Sequence, residues 1–206
     1  MSALSLAKDK ARLRVSMKQK RRHLSSAFVR TASIAVCRLI QRQLFFHPSR
    51  RIGFYVATNN EISLAFLAQT AKQRNKECYY PALNPLAADR GLVFLSDNSV
   101  GWHLNKYAIA EPSTPLAKGI ALHTLDLVLL PLVAFDSNGG RLGMGAGYYD
   151  RTFKHLARES KQRRGKTILV GIGYEFQRVR KVPTDEMDIL LDFVVTEKNC
   201  IACRSA

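Results

Sequence analysis

Three glycines alternate at Gly143, Gly145 and Gly147. Arg141 stands two residues before the first, and Tyr148, Tyr149 and Asp150 follow the last. Glycine lets the backbone reach positive φ and lets amide N–H groups come close to a ligand. A run of such amides opening into a helix cradles phosphate, and the helix dipole favours the negative charge. Arg141 adds a cation that stays charged. Asp150 falls in the first turn of the helix expected after the loop, where two readings are open: pairing with the helix N-terminus, or holding a metal ion beside phosphates. The pattern is neither the Walker loop nor the dinucleotide fingerprint, since both spacings fail. On the glycines alone, a plain turn between strand and helix explains it equally well.

Other residues of chemical interest are spread along the chain. Lys10 and Arg14 are four apart and share one face of a predicted helix, either as anion contacts or as part of a solvated basic face. Glu61 follows the first predicted strand, where a first-turn helix glutamate is the alternative to a ligand-binding carboxylate. Trp102 and Tyr149 offer flat surfaces for a heterocycle, although a lone tryptophan more often packs in a core. Asp188 lies in a predicted loop. The five histidines are scattered, and no GxSxG elbow occurs. Cys37, Cys78, Cys200 and Cys203 include one CxxC but no second pair, so neither a disulfide framework nor a zinc site is expected.

These residues need a scaffold, and the hydrophobic pattern supplies one. Residues 4–46 read as two helices broken near Ser25-Ser26, with Leu6, Leu13, Met17, Phe28, Ile34, Leu39 and Leu44 at roughly helical spacing. Strands are expected at Arg51–Ala57, Glu77–Pro81, Leu92–Leu95, Leu125–Leu130, Thr167–Gly173 and Asp192–Thr196, with helices at Ile62–Arg74 and Tyr148–Lys161. Asn84-Pro85 reads as a turn, and 136–147 as glycine-rich loop. Strands alternating with helices predict an α/β fold, three-layered, with a mostly parallel sheet flanked by helices. In such sheets ligands bind beyond the carboxyl ends of the strands, where this loop begins. With 206 residues and no evident linker, one domain over 1–206 is expected, with the helices of 4–46 packed on the α/β core.

The net charge of +16 is the outlier. Lys8 to Arg22 and Lys154 to Lys166 hold much of the excess. Such a surface attracts polyanions, which opens a rival reading as a nucleic-acid-binding protein. Interleaved aromatics would support that reading, but the basic runs have almost none. The longest apolar run, near Leu125–Phe135, is about half the roughly 20 residues a membrane span needs. No secretory signal is visible, and a cytoplasmic, monomeric protein is expected.

The string RLGMGAGYYDR, Arg141 to Arg151, resembles the signature of the 5-formyltetrahydrofolate cyclo-ligase (5,10-methenyltetrahydrofolate synthetase) family. The resemblance continues in order through Lys10 to Arg14, Arg22 to Ser25, Asn60-Glu61-Ile62, Trp102, Ile109 to Pro112, Gly173 to Gln177, Pro183, Asp188, Asp192 and Val194 to Thr196. It spans nearly the whole chain. Two positions depart from the pattern: Ala146 stands where relatives often have glycine or lysine, and Leu132 where many have glycine.

The resemblance implies ATP- and Mg2+-dependent conversion of 5-formyltetrahydrofolate to 5,10-methenyltetrahydrofolate through phosphorylation of the formyl oxygen, with ADP and phosphate released. It implies ATP contacts at Lys10, Arg14, Arg141, Leu142, Gly143, Met144, Gly145, Ala146, Gly147 and Tyr148. Folate contacts are implied at Val56, Glu61, Trp102 and Tyr149, metal contacts at Asp150 and Asp188, and catalytic roles for Arg141 and Tyr149. The expected partners are small molecules, ATP and a reduced folate. A family member that binds folate or nucleotide without turnover is a further rival.

Overall fold

The computed structural model describes residues 3–84, 91–98, 101–159, 167–185 and 188–203. Two helices open the chain, α1 (Ala3–Arg22) and α2 (Ser26–Gln41). Basic Lys20, Arg21 and Arg22 fill the last turn of α1, where cations suit the helix dipole. The break falls where the sequence places it: Ser25 leaves helical geometry, and its hydroxyl accepts the Phe28 N–H at 3.2 Å as an N-cap.

Seven strands form one sheet: β1 (Arg51–Gly53), β2 (Glu77–Leu83), β3 (Leu92–Ser96), β6 (Leu127–Pro131), β9 (Ile168–Ile172), β10 (Phe193–Val195) and β11 (Cys200–Ala202). Their order is β11-β10-β9-β6-β1-β2-β3. The five central strands run parallel, and only the edges β3 and β11 are antiparallel. The order reverses between β1 and β6, which makes that gap the topological switch point.

Strand alternation builds a core on each face. Leu127 and Leu129 of β6 join Val170, Ile172 and Val195 under α2 and α3 (Ala65–Gln73). Val128 and Leu130 join Leu169, Val194 and Phe153 of α4 (Tyr148–Glu159) on the other face. The result is the expected layering of helix, sheet and helix. A smaller cluster of Met17, Val133, Ala134, Leu142 and Val182 seats α1 against a hairpin, β7 (Ala134–Phe135) and β8 (Arg141–Leu142).

Several expected boundaries move. The 136–147 stretch is not all loop: Arg141 and Leu142 pair with Phe135 and Ala134, so only 143–147 links β8 to α4. The β1 ladder ends at Gly53, and Phe54 to Ala57 leave the sheet. Helix α3 starts at Ala65 rather than Ile62, because tertiary partners occupy the backbone ahead of it. The Tyr55 hydroxyl donates to the Ile62 carbonyl at 2.6 Å, and the Ser63 N–H donates to the Ser33 hydroxyl at 2.9 Å. A two-stranded hairpin, β4 (Trp102–Leu104) with β5 (Ala110–Pro112), stands apart from the main sheet. Pro85 of the expected turn lies outside the described residues, as do Lys161, Arg163, Arg164 and Lys166. Among the described residues, no helix is long and apolar enough to cross a membrane. All four cysteines are free thiols, and burial pushes each upward, Cys37 to about 11 and Cys78 and Cys203 to about 12.

Leu132 has a local explanation. It is buried over β9, where its methyl groups fill the space that two glycines leave. A Cβ on Gly171 would meet one of these methyls at 2.8 Å, and a Cβ on Gly173 would meet the other at 2.6 Å. Gly173→Ala is therefore expected to destabilise the fold by about 1–3 kcal/mol through overpacking. The same change in a Leu132→Ala background should cost less, read by denaturant unfolding of all three variants. Strictly additive costs would show that Leu132 is not the obstacle.

Candidate active site

A cavity of about 720 Å³ opens at the carboxyl ends of β1 and β6, at the switch point. Tyr55 and Val56 line it after β1, and Pro131 and Leu132 at the end of β6. From α1 come Lys10 and Arg14, and from the turn before α3 comes Glu61. The β7–β8 hairpin and its loop supply Arg141, Leu142, Gly143, Met144, Gly145, Ala146 and Gly147. Helix α4 adds Tyr148, Tyr149 and Asp150, and Asp188 completes the wall. Residues spread over most of the chain thus share one concavity.

Trp102 does not share it. The ring is 43% exposed on β4 and packs edge-on against Tyr80, with centroids 5.0 Å apart. It sits on β4 outside the lining, although the same hairpin lends Asn105, Tyr107, Ala108, Ile109 and Glu111 to the cavity wall. The other candidate site residues all line the cavity.

The glycine loop is set by backbone geometry. Gly145 and Gly147 have φ of 108° and 67°, values that a side chain disfavours. Ala146 between them is not among the residues with positive φ, so its methyl group fits the turn without strain. Arg14 secures the loop from α1, its Nε donating to the Gly143 carbonyl at 2.9 Å.

The charged groups are paired across elements. Arg141 is nearly buried and donates from Nη2 to Asp150 at 2.7 Å, while its guanidinium lies 5.7 Å from the Tyr149 ring centre. Its Nε is buried without a hydrogen-bond partner. Lys10 bridges Asp188 at 2.7 Å and Asp185 at 2.9 Å. Burial alone would lower the Lys10 ammonium, but the two carboxylates outweigh it and raise the pKa. Burial pushes the Tyr149 phenol up strongly, so it stays neutral and can donate a hydrogen bond.

Glu61 sits in a turn, not in a helix. Its Oε2 accepts the Thr58 N–H at 3.0 Å, and its Oε1 lies 3.3 Å from Arg21 Nη1. Burial raises its pKa, against the opposing pull of Arg21 and Thr58. Sequence reasoning passed over Arg21 as one of a basic run. Its signal was spacing, since Lys10, Arg14, Met17 and Arg21 recur at helical intervals along one face of α1. Tyr107, whose hydroxyl meets that of Tyr148 at 3.0 Å across the cavity mouth, had no comparable signal.

Magnesium takes few carboxylates and completes its shell with phosphate and water. Asp150 and Asp188, both facing the cavity beside the glycine loop, fit that demand in donor type. Among the described residues there is no cluster of three or more His, Cys, Asp or Glu side chains.

Behind the hairpin, the buried Asp136 carboxylate accepts three backbone N–H groups, from Asn138 at 2.9 Å, Gly140 at 3.0 Å and Val182 at 2.7 Å. Asp136→Asn would turn an amide donor toward the Val182 N–H. The expected cost is about 1–3 kcal/mol in denaturant unfolding. An unchanged midpoint would show that the carboxylate is not the anchor.

Fold and site together define an α/β enzyme scaffold with a glycine loop, fixed cations and two carboxylates around one cavity at the strand switch point. The chain belongs to the 5-formyltetrahydrofolate cyclo-ligase family, whose model matches residues 6–197. It is 34% identical over 148 residues to a 5-formyltetrahydrofolate cyclo-ligase of Haemophilus influenzae, covering 71% of this chain and 76% of that protein. The 5-formyltetrahydrofolate cyclo-ligase of Escherichia coli K12 is also 34% identical, over 146 residues, covering 70% and 76%. Among solved structures, the 5,10-methenyltetrahydrofolate synthetase of Aquifex aeolicus superposes with a TM-score of 0.78 at 29% identity, covering 96% of this chain and 94% of that one.

Proposed function

We propose that this chain converts 5-formyltetrahydrofolate to 5,10-methenyltetrahydrofolate, using ATP with Mg2+ and releasing ADP and phosphate. One observation carries the reading: the phosphate-type elements and the folate-type carboxylate line a single cavity. Both substrates must meet in one space if the formyl oxygen is to attack the γ-phosphate. The phosphorylated oxygen then becomes a leaving group. N10 attacks the same carbon, the ring closes, and phosphate departs with its oxygen.

For such a transfer the protein's part is positioning and neutralisation of charge. Amides of the 143–147 loop at the head of α4 face the phosphates, with Lys10, Arg14 and Arg141 as cations around them. Asp150 and Asp188 would hold Mg2+, which neutralises phosphate charge when bound. The same carboxylates pair with Lys10 and Arg141, which balance their negative charge. On the other side, Glu61 accepts from the folate ring, while Val56 and Tyr149 supply apolar wall and a neutral phenol.

Purified protein mixed with 5-formyltetrahydrofolate, ATP and Mg2+ should generate the absorbance of the methenyl product, and omission of either ATP or Mg2+ should abolish it. Folded protein that yields no product under the full mixture sinks the proposal. Asp150→Asn is expected to lower kcat by about 100-fold or more, with a raised Mg2+ requirement. Turnover and Mg2+ dependence equal to the unmodified chain would remove Asp150 from the metal site.

A further inference from the structure

The turn that carries Glu61 is held from several sides. Asn59 and Asn60 have φ of 49° and 58°, a conformation that persists where the surroundings over-determine it. The Glu61 N–H donates to the Thr58 carbonyl at 2.9 Å. The Tyr174 hydroxyl donates to the Asn60 carbonyl at 2.8 Å, and the Asn60 amide donates to the Arg21 carbonyl at 3.1 Å. Helix α1 therefore grips this turn through its backbone as well as through the Arg21 side chain.

Arg21 is 3% exposed and does not line the cavity, whereas Glu61 does. The guanidinium thus meets the carboxylate from behind. Its Nη1 donates to Glu61, while its Nε is buried with no hydrogen-bond partner among the described residues. An ionised carboxylate has about four acceptor positions. Thr58 takes those of Oε2 through its N–H and, at 3.4 Å, its hydroxyl, while Arg21 takes one at Oε1. The acceptor capacity that remains lies at Oε1, and Glu61 lines the cavity.

We propose that Arg21 is a positioning residue for the folate substrate: from outside the cavity it holds the Glu61 carboxylate ionised and in one orientation, ready to accept ring N–H donors. The inference rests on the folate-side role of Glu61 in the proposed function. The groups facing Glu61 are Arg21 from α1, Thr58 from its own turn, and the phenols of Tyr55, Tyr149 and Tyr174 from beyond β1, from α4 and from beyond β9. Burial raises all three phenols, which leaves Arg21 as the charged group facing Glu61 among the described residues. Burial already pushes the Glu61 carboxyl up, and loss of Arg21 pushes it further. A carboxylate that must be ionised then needs a higher pH, so the acid limb of kcat/KM for folate moves toward neutrality and activity below it falls.

The test uses the full chain with Arg21→Met, Arg21→Lys, Glu61→Gln and the Arg21→Met/Glu61→Gln pair, each checked for folding by circular dichroism. Arg21→Met should raise KM for 5-formyltetrahydrofolate by about tenfold or more while KM for ATP stays within about twofold. Its acid limb should shift upward, and Arg21→Lys should recover most of the loss. In the Glu61→Gln background, adding Arg21→Met should change folate KM no further, because the arginine acts through that carboxylate. A folded Arg21→Met with unaltered folate KM and acid limb overturns the inference, as does a further loss in the double variant. If the single Met variant does not fold, Glu61→Gln against the double variant decides, since neither contains a lone buried carboxylate. Absence of turnover by the unmodified chain overturns the proposed function itself. Turnover that is insensitive to Arg21 overturns this inference alone.

Discussion

The Asp136 carboxylate is the constraint on which the glycine-loop side of the cavity depends. One oxygen closes the hairpin turn by accepting from Asn138 and Gly140, and the other captures Val182 from a segment more than forty positions away. Next to it the Val179 N–H donates to the Phe135 carbonyl, so the two segments are stitched at two points. The hairpin presents Arg141 and the glycine loop, and the captured segment leads on to Asp185 and Asp188. A buried carboxylate that accepts three backbone donors is rigid, since any rotation would strand one of them. The hairpin and the 185–188 wall of the cavity are thereby kept in register.

The second ordering principle is helix periodicity along α1. Lys10, Arg14, Met17 and Arg21 fall along one face and reach four different destinations: the 185–188 carboxylates, the Gly143 carbonyl, the small apolar cluster and Glu61. Three of the eight lysines and arginines from Lys8 to Arg22 are committed to these contacts, while Lys8, Arg12, Lys20 and Arg22 remain exposed. That commitment weakens the nucleic-acid reading for this stretch, since Lys10, Arg14 and Arg21 are engaged by protein groups.

The central sheet was legible because its strands are buried on both faces. Leu127 to Leu130 serve two cores by alternation, and that demand leaves an unbroken apolar run in the sequence. The outer β4–β5 hairpin was not legible, because its strands are three residues long and neither alternates: β4 is exposed throughout and β5 is mostly buried. Glu61 was legible as a candidate, but the helix expected to begin just after it, at Ile62, starts only at Ala65. What replaces the helix is a pair of left-handed asparagines and long-range bonds from Tyr55, Tyr174 and Ser33, none of which has a local signature. Arg21 stayed hidden among neighbours of the same charge, because burial and pairing are tertiary facts. Trp102 shows the converse: a residue type suited to stacking that sits outside the cavity lining.

Among its described side chains, helix α1 buries one apolar group, Met17, and packs Leu13 beside it; its other contacts with the core are made largely by charged groups. Its docking therefore draws on Lys10 and Arg14, which also line the cavity. Thermodynamic linkage makes the relation reciprocal: whatever phosphate-bearing ligand engages Lys10 and Arg14 alters the opening equilibrium of the chain's first helix by the same free energy that helix docking lends to the ligand. Amide exchange along residues 5–22 is thus a built-in gauge of cavity occupancy, readable without following any turnover.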